Sequence, residues 1–322
     1  MRKETGNSGG FTLLELMLAI AILLAISGAA VSFLMGFQNY YTSTALKADL
    51  HSGMRGATEL LQQEISQAGL LTLGPNCSST VVTGCPTLTA NVTGSTTAQT
   101  VAVSSTAGMF LAQTGSPQVG EWLRIDTGAV QETVTVTAIP SSTTFTAVFA
   151  NNHSSGAVVQ AVGMFPQGIV DAVSSGSQLS MFGDMNGDGN LYFVQYQCNV
   201  ASSGQLTRSI TPLTATAKNT AVILLDNLLS TGNPDGSPCF NYPSTTQVIV
   251  NGTTYTFEAA VGVTLTLQTE EIDPLIQKLG QETNTFLNLA PRNIVAGVAL
   301  ANAGNANYLQ PNPNSCLIAG TC

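Results

Sequence analysis

From Phe11 to Phe37 the chain is apolar at nearly every position and carries a single charge, Glu15. A run of this length, apolar all round, predicts a helix able to cross a hydrocarbon layer of about 30 Å. Beyond it the pattern changes. Leu46, Leu50, Met54, Ala57, Leu61, Ile65 and Ala68 recur at spacings of 4, 4, 3, 4, 4 and 3, which is one apolar stripe on a continuing helix. Lys47, Asp49, Arg55, Glu59 and Glu64 fall off that stripe. No proline occurs before Pro75, and Gly69 is a plausible stop. The expectation is one helix over about 11–69. Its first half should face lipid or other helices, and its second half should hold a sheet. Gly28 and Gly36 in the first half are either packing notches, sites of local melting, or glycines that a membrane helix tolerates.

After residue 70 the period drops to two. Residues 71–87 read as a Cys-bearing loop. Between 88 and 163 the stretches AQTVAVSS, EWLRIDTG, QETVTVTAIP, TTFTAVFA and GAVVQAV alternate in strand fashion between Gly, Ser and Pro punctuation. They predict an inserted small all-β module with a core from Trp122, Leu123 and Ile125. Residues 164–300 give SQLSMFGD, LYFVQYQC, QLTRSIT, NTAVILLD, TTQVIVN, TYTFEAAVGVTLTLQT and NTFLNLAP, an antiparallel sheet to pack on the helical stripe. Residues 301–322 form a C-terminal tail. The fold class expected is α+β.

Composition narrows the setting. Only 8% of the 322 residues are charged, and the net charge is −9, which excludes the basic stripe of a nucleic-acid surface. The six cysteines, Cys77, Cys85, Cys198, Cys239, Cys316 and Cys322, all follow the long helix. An even count there suggests disulfides formed in an oxidising compartment, with free thiols as the alternative. Proximity favours Cys77–Cys85 and Cys316–Cys322, which leaves Cys198–Cys239.

The start of the chain, MRKETGNSGG, is short, polar and basic at Arg2 and Lys3. A secretory signal places its small-residue cleavage site after the apolar run. Here Gly9 and Gly10 come before it. Basic residues ahead of the run put the N-terminus in the cytoplasm and the rest of the chain outside. Gly10-Phe11-Thr12-Leu13-Leu14-Glu15-Leu16 resembles the type IV prepilin motif. That resemblance implies residues 1–10 as a leader, cleavage between Gly10 and Phe11 by a prepilin peptidase, and N-methylation of Phe11. Cleavage removes Arg2, Lys3 and Glu4, leaving 7 basic and 17 acidic residues, a net of −10.

The resemblance also gives Glu15 a task. An ionised acid at the centre of a spanning helix costs about 2.5–3.5 kcal/mol. After cleavage, the α-amine of Phe11 on one subunit could pair with Glu15 of a neighbour and remove much of that cost. Pilins combine a long N-terminal helix with a β-rich head in a lollipop plan, here residues 11–70, with 11–37 as the transmembrane and assembly part. Within 9–71 and 165–295 the chain is similar to PilW-family minor pilins, through Arg55, Leu61, Glu64, Ile65, Ala68 and Gly69 on the helix and Arg292-Asn293 after the last strand. The partners implied are other pilins or pseudopilins through helix packing, the prepilin peptidase and the inner-membrane assembly machinery. The location implied is the inner membrane with a periplasmic head, then the pilus or cell surface.

Candidate chemistry is sparse. FGDMNGDGN places Asp184, Asn186, Asp188 and Asn190 at alternate positions with Gly189 at the bend. This suits a weak Ca²⁺ site, or else a hydrogen-bonded Asx-rich turn with no metal. The twelfth position is Gln195, so it is not an EF-hand. His153, in NNHSSG, reads as a solvated loop residue. Glu270, Glu271 and Asp273 before Pro274 read as a solvated acidic loop. No Ser-His-Asp set, H-E-x-x-H or phosphate loop is present, so no enzyme is expected and no cofactor beyond that possible calcium. Three functions stand: a minor pilin of a type IV pilus, a J-type minor pseudopilin of a type II secretion system, or a pilus-borne adhesin acting through the inserted module.

Overall fold

The computed structural model describes residues 12–75, 77, 82–112, 120–200, 203–250, 253–305 and 308–322. The expected cleavage site at Gly10 and Phe11 lies outside them. The chain divides into two compact units, Met1–Ser52 with Gln268–Gly280, and Gly53–Leu267 with Gln281–Cys322.

Helix α1 runs unbroken over Leu13–Gln67, about 80 Å at 1.5 Å per residue. In the first unit its residues 13–41 are exposed throughout, including Leu14, Ile22, Leu24, Ile26 and Phe33. Ser43 and Leu50 are the first buried positions. Two strands supply the rest of this unit, the end of β12 (Thr253–Asp273) and the start of β13 (Lys278–Leu289). The acidic stretch Glu270–Asp273 is therefore the end of a strand rather than a loop. Glu270, Glu271 and Ile272 are exposed and Asp273 is buried.

In the second unit the stripe of α1 behaves as its spacing predicts. Met54, Ala57, Leu61, Ile65 and Ala68 are all buried. Glu64, which the spacing put off the stripe, is buried as well, at 5% exposure. The helix ends at Gly69, whose φ of 77° lies in the left-handed region. A Cβ there would stand 2.8 Å from the Phe165 carbonyl oxygen, so the position needs glycine on both counts.

Six short strands follow between residues 88 and 163: β1 (Gln99–Ala102), β2 (Trp122–Ile125), β3 (Glu132–Thr135), β4 (Ala138–Ser141), β5 (Thr144–Ala147) and β6 (Val159–Ala161). They form two three-stranded antiparallel sheets, ordered β1-β5-β4 and β3-β2-β6. Leu123, Ile125, Val134, Phe145, Phe149 and Val159 fill the space between them. Trp122, expected in that core, points to the other face of β2, where its backbone is bracketed by the Gln310 side chain. The apolar core does not close on itself. It continues through Phe110, Phe165 and Phe182, with ring centroids 5.2 and 4.8 Å apart, into the strands beyond.

Those are β7 (Gln178–Gly183), β8 (Tyr192–Asn199), β9 (Gln205–Pro212) and β10 (Val222–Leu225), an antiparallel sheet in the order β10-β9-β8-β7. A second sheet is ordered β11-β12-β13, with β11 spanning Phe240–Val250. Two helices were not anticipated. Helix α2, Arg292–Asn302, buries Ile294, Gly297 and Ala301, a three-to-four spacing hidden in a short Ala-rich segment. It crosses residue 300, where the sequence reading begins a tail. Helix α3, Cys316–Ala319, is capped by Ser315. Disulfides join Cys77–Cys85, Cys198–Cys239 and Cys316–Cys322, with Cα separations of 4.7, 6.4 and 5.1 Å.

Candidate functional site

Glu15 sits in the first turn of α1. Thr12 donates to Glu15 Oε2 from its backbone N–H at 3.0 Å and from its hydroxyl at 3.1 Å. In return the Glu15 amide lies 3.3 Å from Thr12 Oγ1. This reciprocal pair is a capping box, Thr at the cap and Glu three residues on. The carboxylate also faces the positive end of the helix dipole. The signal was present as Thr12-Leu13-Leu14-Glu15 but was hidden inside the longer motif. It explains how the acid is tolerated by a single chain: its charge is already hydrogen-bonded at a helix terminus, where a partner can still reach it.

Further along α1, Ser43 donates to Asp273 Oδ2 at 2.7 Å, and Lys47 Nζ lies 3.9 Å from the same oxygen. Asp273 Oδ1 accepts from the Leu275 amide at 2.8 Å. Ser43 first, with the Leu275 amide and Lys47 adding, holds this carboxyl below its usual range. Its side chain is only 1% exposed, covered by these immediate neighbours rather than by depth in a core. This clasp fixes the β12–β13 turn to the helix six residues past Phe37.

The lower half of α1 is fixed by Glu64. Arg208 on β9 meets its carboxylate with two nitrogens, Nε at 3.0 Å from Oε2 and Nη2 on Oε1, and the Tyr196 hydroxyl on β8 also donates to Oε2. A forked guanidinium matches both oxygens of one carboxylate. The hydrogen bond to Glu64 raises the Arg208 pKa. Burial, with Glu64 beside it, pushes the Tyr196 phenol up. Asn293, at the start of α2, reaches the last carbonyls of α1, with Nδ2 3.3 Å from Gln67 O and 3.4 Å from Ala68 O. The helix terminus therefore has a side-chain cap from far along the chain.

The FGDMNGDGN loop is closed by its own hydrogen bonds. Asp184 is buried and accepts from the amides of Asp188 at 3.1 Å and Gly189 at 3.0 Å, and from the Thr72 hydroxyl. Asp188 accepts from the Asn190 amide at 2.8 Å and the Tyr192 hydroxyl at 3.0 Å. Among the described residues no three His, Cys, Asp or Glu side chains are grouped as metal ligands.

His153 is not the solvated loop residue expected. It is 3% exposed, with Nδ1 3.2 Å from Asp126 Oδ2 and Nε2 2.6 Å from Glu132 Oε1. Glu132 in turn receives the Ala150 and Asn151 amides. The polar NNHSSG context concealed this, because the two carboxylates, one just past β2 and one opening β3, lie more than twenty positions earlier. Another buried acid, Glu121, immediately precedes β2, and neither of its carboxyl oxygens has a hydrogen-bond partner among the described residues. Burial raises its pKa well above the usual 4.5.

A cavity of about 510 Å³ opens where the short-strand sheets meet the β8–β9 strands, lined by Met109, Phe110, Leu111, Ile139, Tyr192 and Pro212 among others.

Residues 5–31 match the family model for the prokaryotic N-terminal methylation motif. Neither curated proteins nor solved structures match this chain. The matched segment takes in residues 5–10 of the expected leader, Glu15 and α1 as far as Val31. In its N-terminal segment the chain carries a type IV prepilin-like methylation motif.

Proposed function

We propose that this protein is a minor pilin of the PilW-like kind. It is cleaved between Gly10 and Phe11 by a prepilin peptidase, N-methylated on Phe11, and assembled through α1 to prime or decorate a type IV pilus. The observation that carries this reading is the methylation motif at 5–31 running directly into an exposed apolar helix. In the filament, Glu15 exchanges its Thr12 cap for the α-amine of a neighbouring subunit's Phe11, so the acid sets register between helices and takes no part in catalysis. The protein is a structural subunit, anchored in the inner membrane before assembly.

Intact mass and N-terminal sequencing, with and without prepilin peptidase, test the proposal. A peptidase-dependent start at Phe11 carrying one extra methyl supports it. An uncut N-terminus in a competent host overturns it. Genes for a pilus rather than for secretion beside this one separate the pilin from the J-type pseudopilin.

The cavity favours an additional role in ligand binding, in line with an adhesin. Tyr192→Ala, made at the cavity wall, should lower surface attachment without lowering pilus number.

A further inference from the structure

The turn between β12 and β13 ends in exposed apolar residues. Ile272 is 64% exposed, Leu275 50% and Ile276 49%. A hairpin tip in water ordinarily carries polar turn residues, and here Pro274-Leu275-Ile276-Gln277 offers two large aliphatics. The same compact unit contains the exposed apolar half of α1. Asp273, the last residue of β12, is tied to Ser43 and Lys47. Ser43 lies six residues past Phe37, about 9 Å along the helix. The headgroup layer extends about 5–8 Å beyond the hydrocarbon on each side. From Asp273 the next two or three residues reach about 7–10 Å, enough to bring Leu275 and Ile276 to that layer.

Two further features fit a lipid surface at this level. Tyr40 and Tyr41 are 64% and 69% exposed on α1 just past the apolar run, the position where aromatic residues collect at a membrane interface. Lys278, just past the turn, is exposed and placed for a lipid phosphate. The opposing charges are Asp273, already paired with Lys47, Asp49 on α1, and Glu270 and Glu271 on β12. The two glutamates lie more than about 10 Å from the tip along the strand.

We propose that the β12–β13 turn is a second membrane contact, which rests its Leu275–Ile276 tip on the lipid headgroup layer beside α1 before the subunit enters a filament. The inference depends on the membrane-anchoring reading of α1. It assigns the exposed aliphatics to a lipid surface rather than to another protein. With a spanning helix and a clasped turn side by side, the first unit has two attachments to the bilayer and a restricted rotation about the helix axis.

The test uses the full chain in vesicles whose lipids carry bromine near the methyl end of the acyl chains for the mid-span position Leu24, and otherwise in vesicles whose lipids carry bromine near the glycerol end. Wild-type protein, with Trp122 alone, sets the baseline. Ile276→Trp should add blue-shifted emission that these lipids quench. Leu24→Trp reports the span, and Val222→Trp, at an exposed strand position, reports non-specific adsorption. Quenching at Leu24→Trp and Ile276→Trp but not at Val222→Trp supports the proposal. Quenching at Leu24→Trp alone overturns it and leaves membrane anchoring intact. Equal quenching at Val222→Trp overturns it as mere adsorption. No quenching at Leu24→Trp removes the anchoring reading and the proposal with it. A blue shift of Ile276→Trp seen only on co-assembly with other pilins gives the tip to a neighbouring subunit and overturns the lipid contact.

Discussion

At the scale of single residues, the acids of this chain hold three different positions. Glu15 is capped at a helix terminus, Glu64 is paired, and Glu121 is buried with no hydrogen-bond partner on its carboxyl among the described residues. For Glu15, a change to Val should leave membrane insertion intact, because it removes a charge from an apolar helix. Incorporation into filaments should fall sharply, read by comparing membrane and sheared-pilus fractions. For Glu64, a change to Ala leaves a forked guanidinium and a phenol facing each other without their acceptor, and should cost about 3–5 kcal/mol in denaturant unfolding. Replacing Glu64 and Arg208 together by Leu and Met should cost far less than Glu64→Ala alone. For Glu121 the sign follows from the raised pKa. The folded chain holds the proton more tightly than the unfolded chain, so the stability linked to it is fully present below pH 4.5 and is lost as pH rises. Glu121→Gln should therefore gain over wild type as pH is raised from 4.5, measured as a widening difference in Tm.

At the scale of elements, α1 is held at two places by two different devices. Near residue 43 the hold is one hydrogen bond with a distant lysine beside it. Near residue 64 it is a buried, bidentate pair backed by the stripe Leu61, Ile65 and Ala68. The first should open before the second. Ser43→Ala should raise amide exchange in the β12–β13 turn and leave the 53–67 half of α1 protected. At the helix end, Asn293→Ala removes the only side-chain donor described on the Gln67 and Ala68 carbonyls. The expected cost is about 1 kcal/mol, with faster exchange confined to the last turn.

At the scale of the molecule, the short-strand region and the larger sheets share one apolar core through Phe110, Phe165 and Phe182. Deleting residues 88–163 would expose that core, so point changes at the surface are the better probe of any binding role. The three disulfides differ in what they restrain. In the chain-entropy description, closing a loop of 41 residues contributes about 4 kcal/mol, against about 2–2.5 for separations of 8 and 6. Changing Cys198 and Cys239 together to Ser should therefore lower stability more than the same change at either other pair.

The sequence alone determined what depends on local order. A run of apolar residues without a break makes a helix whatever surrounds it, so α1 was legible nearly to the residue. Alternation with period two made the strands legible, including Gln178–Gly183 and Tyr192–Asn199. The N-terminal methylation motif was legible because its residues are neighbours in the chain and need no fold to bring them together. Tertiary structure alone decided partnership. Glu64 falls off the stripe by spacing, yet it is buried because Arg208 and Tyr196 arrive from strands more than 130 positions away. His153 looks solvated in its own segment, but β2 and β3 bring Asp126 and Glu132 to both ring nitrogens. The acids before Pro274 read as a loop because a cluster of charges beside a proline carries no strand signal of its own, and only the clasp on Ser43 shows one of them buried. A polar side chain's fate depends on what the fold carries to it, and no local pattern encodes that arrival.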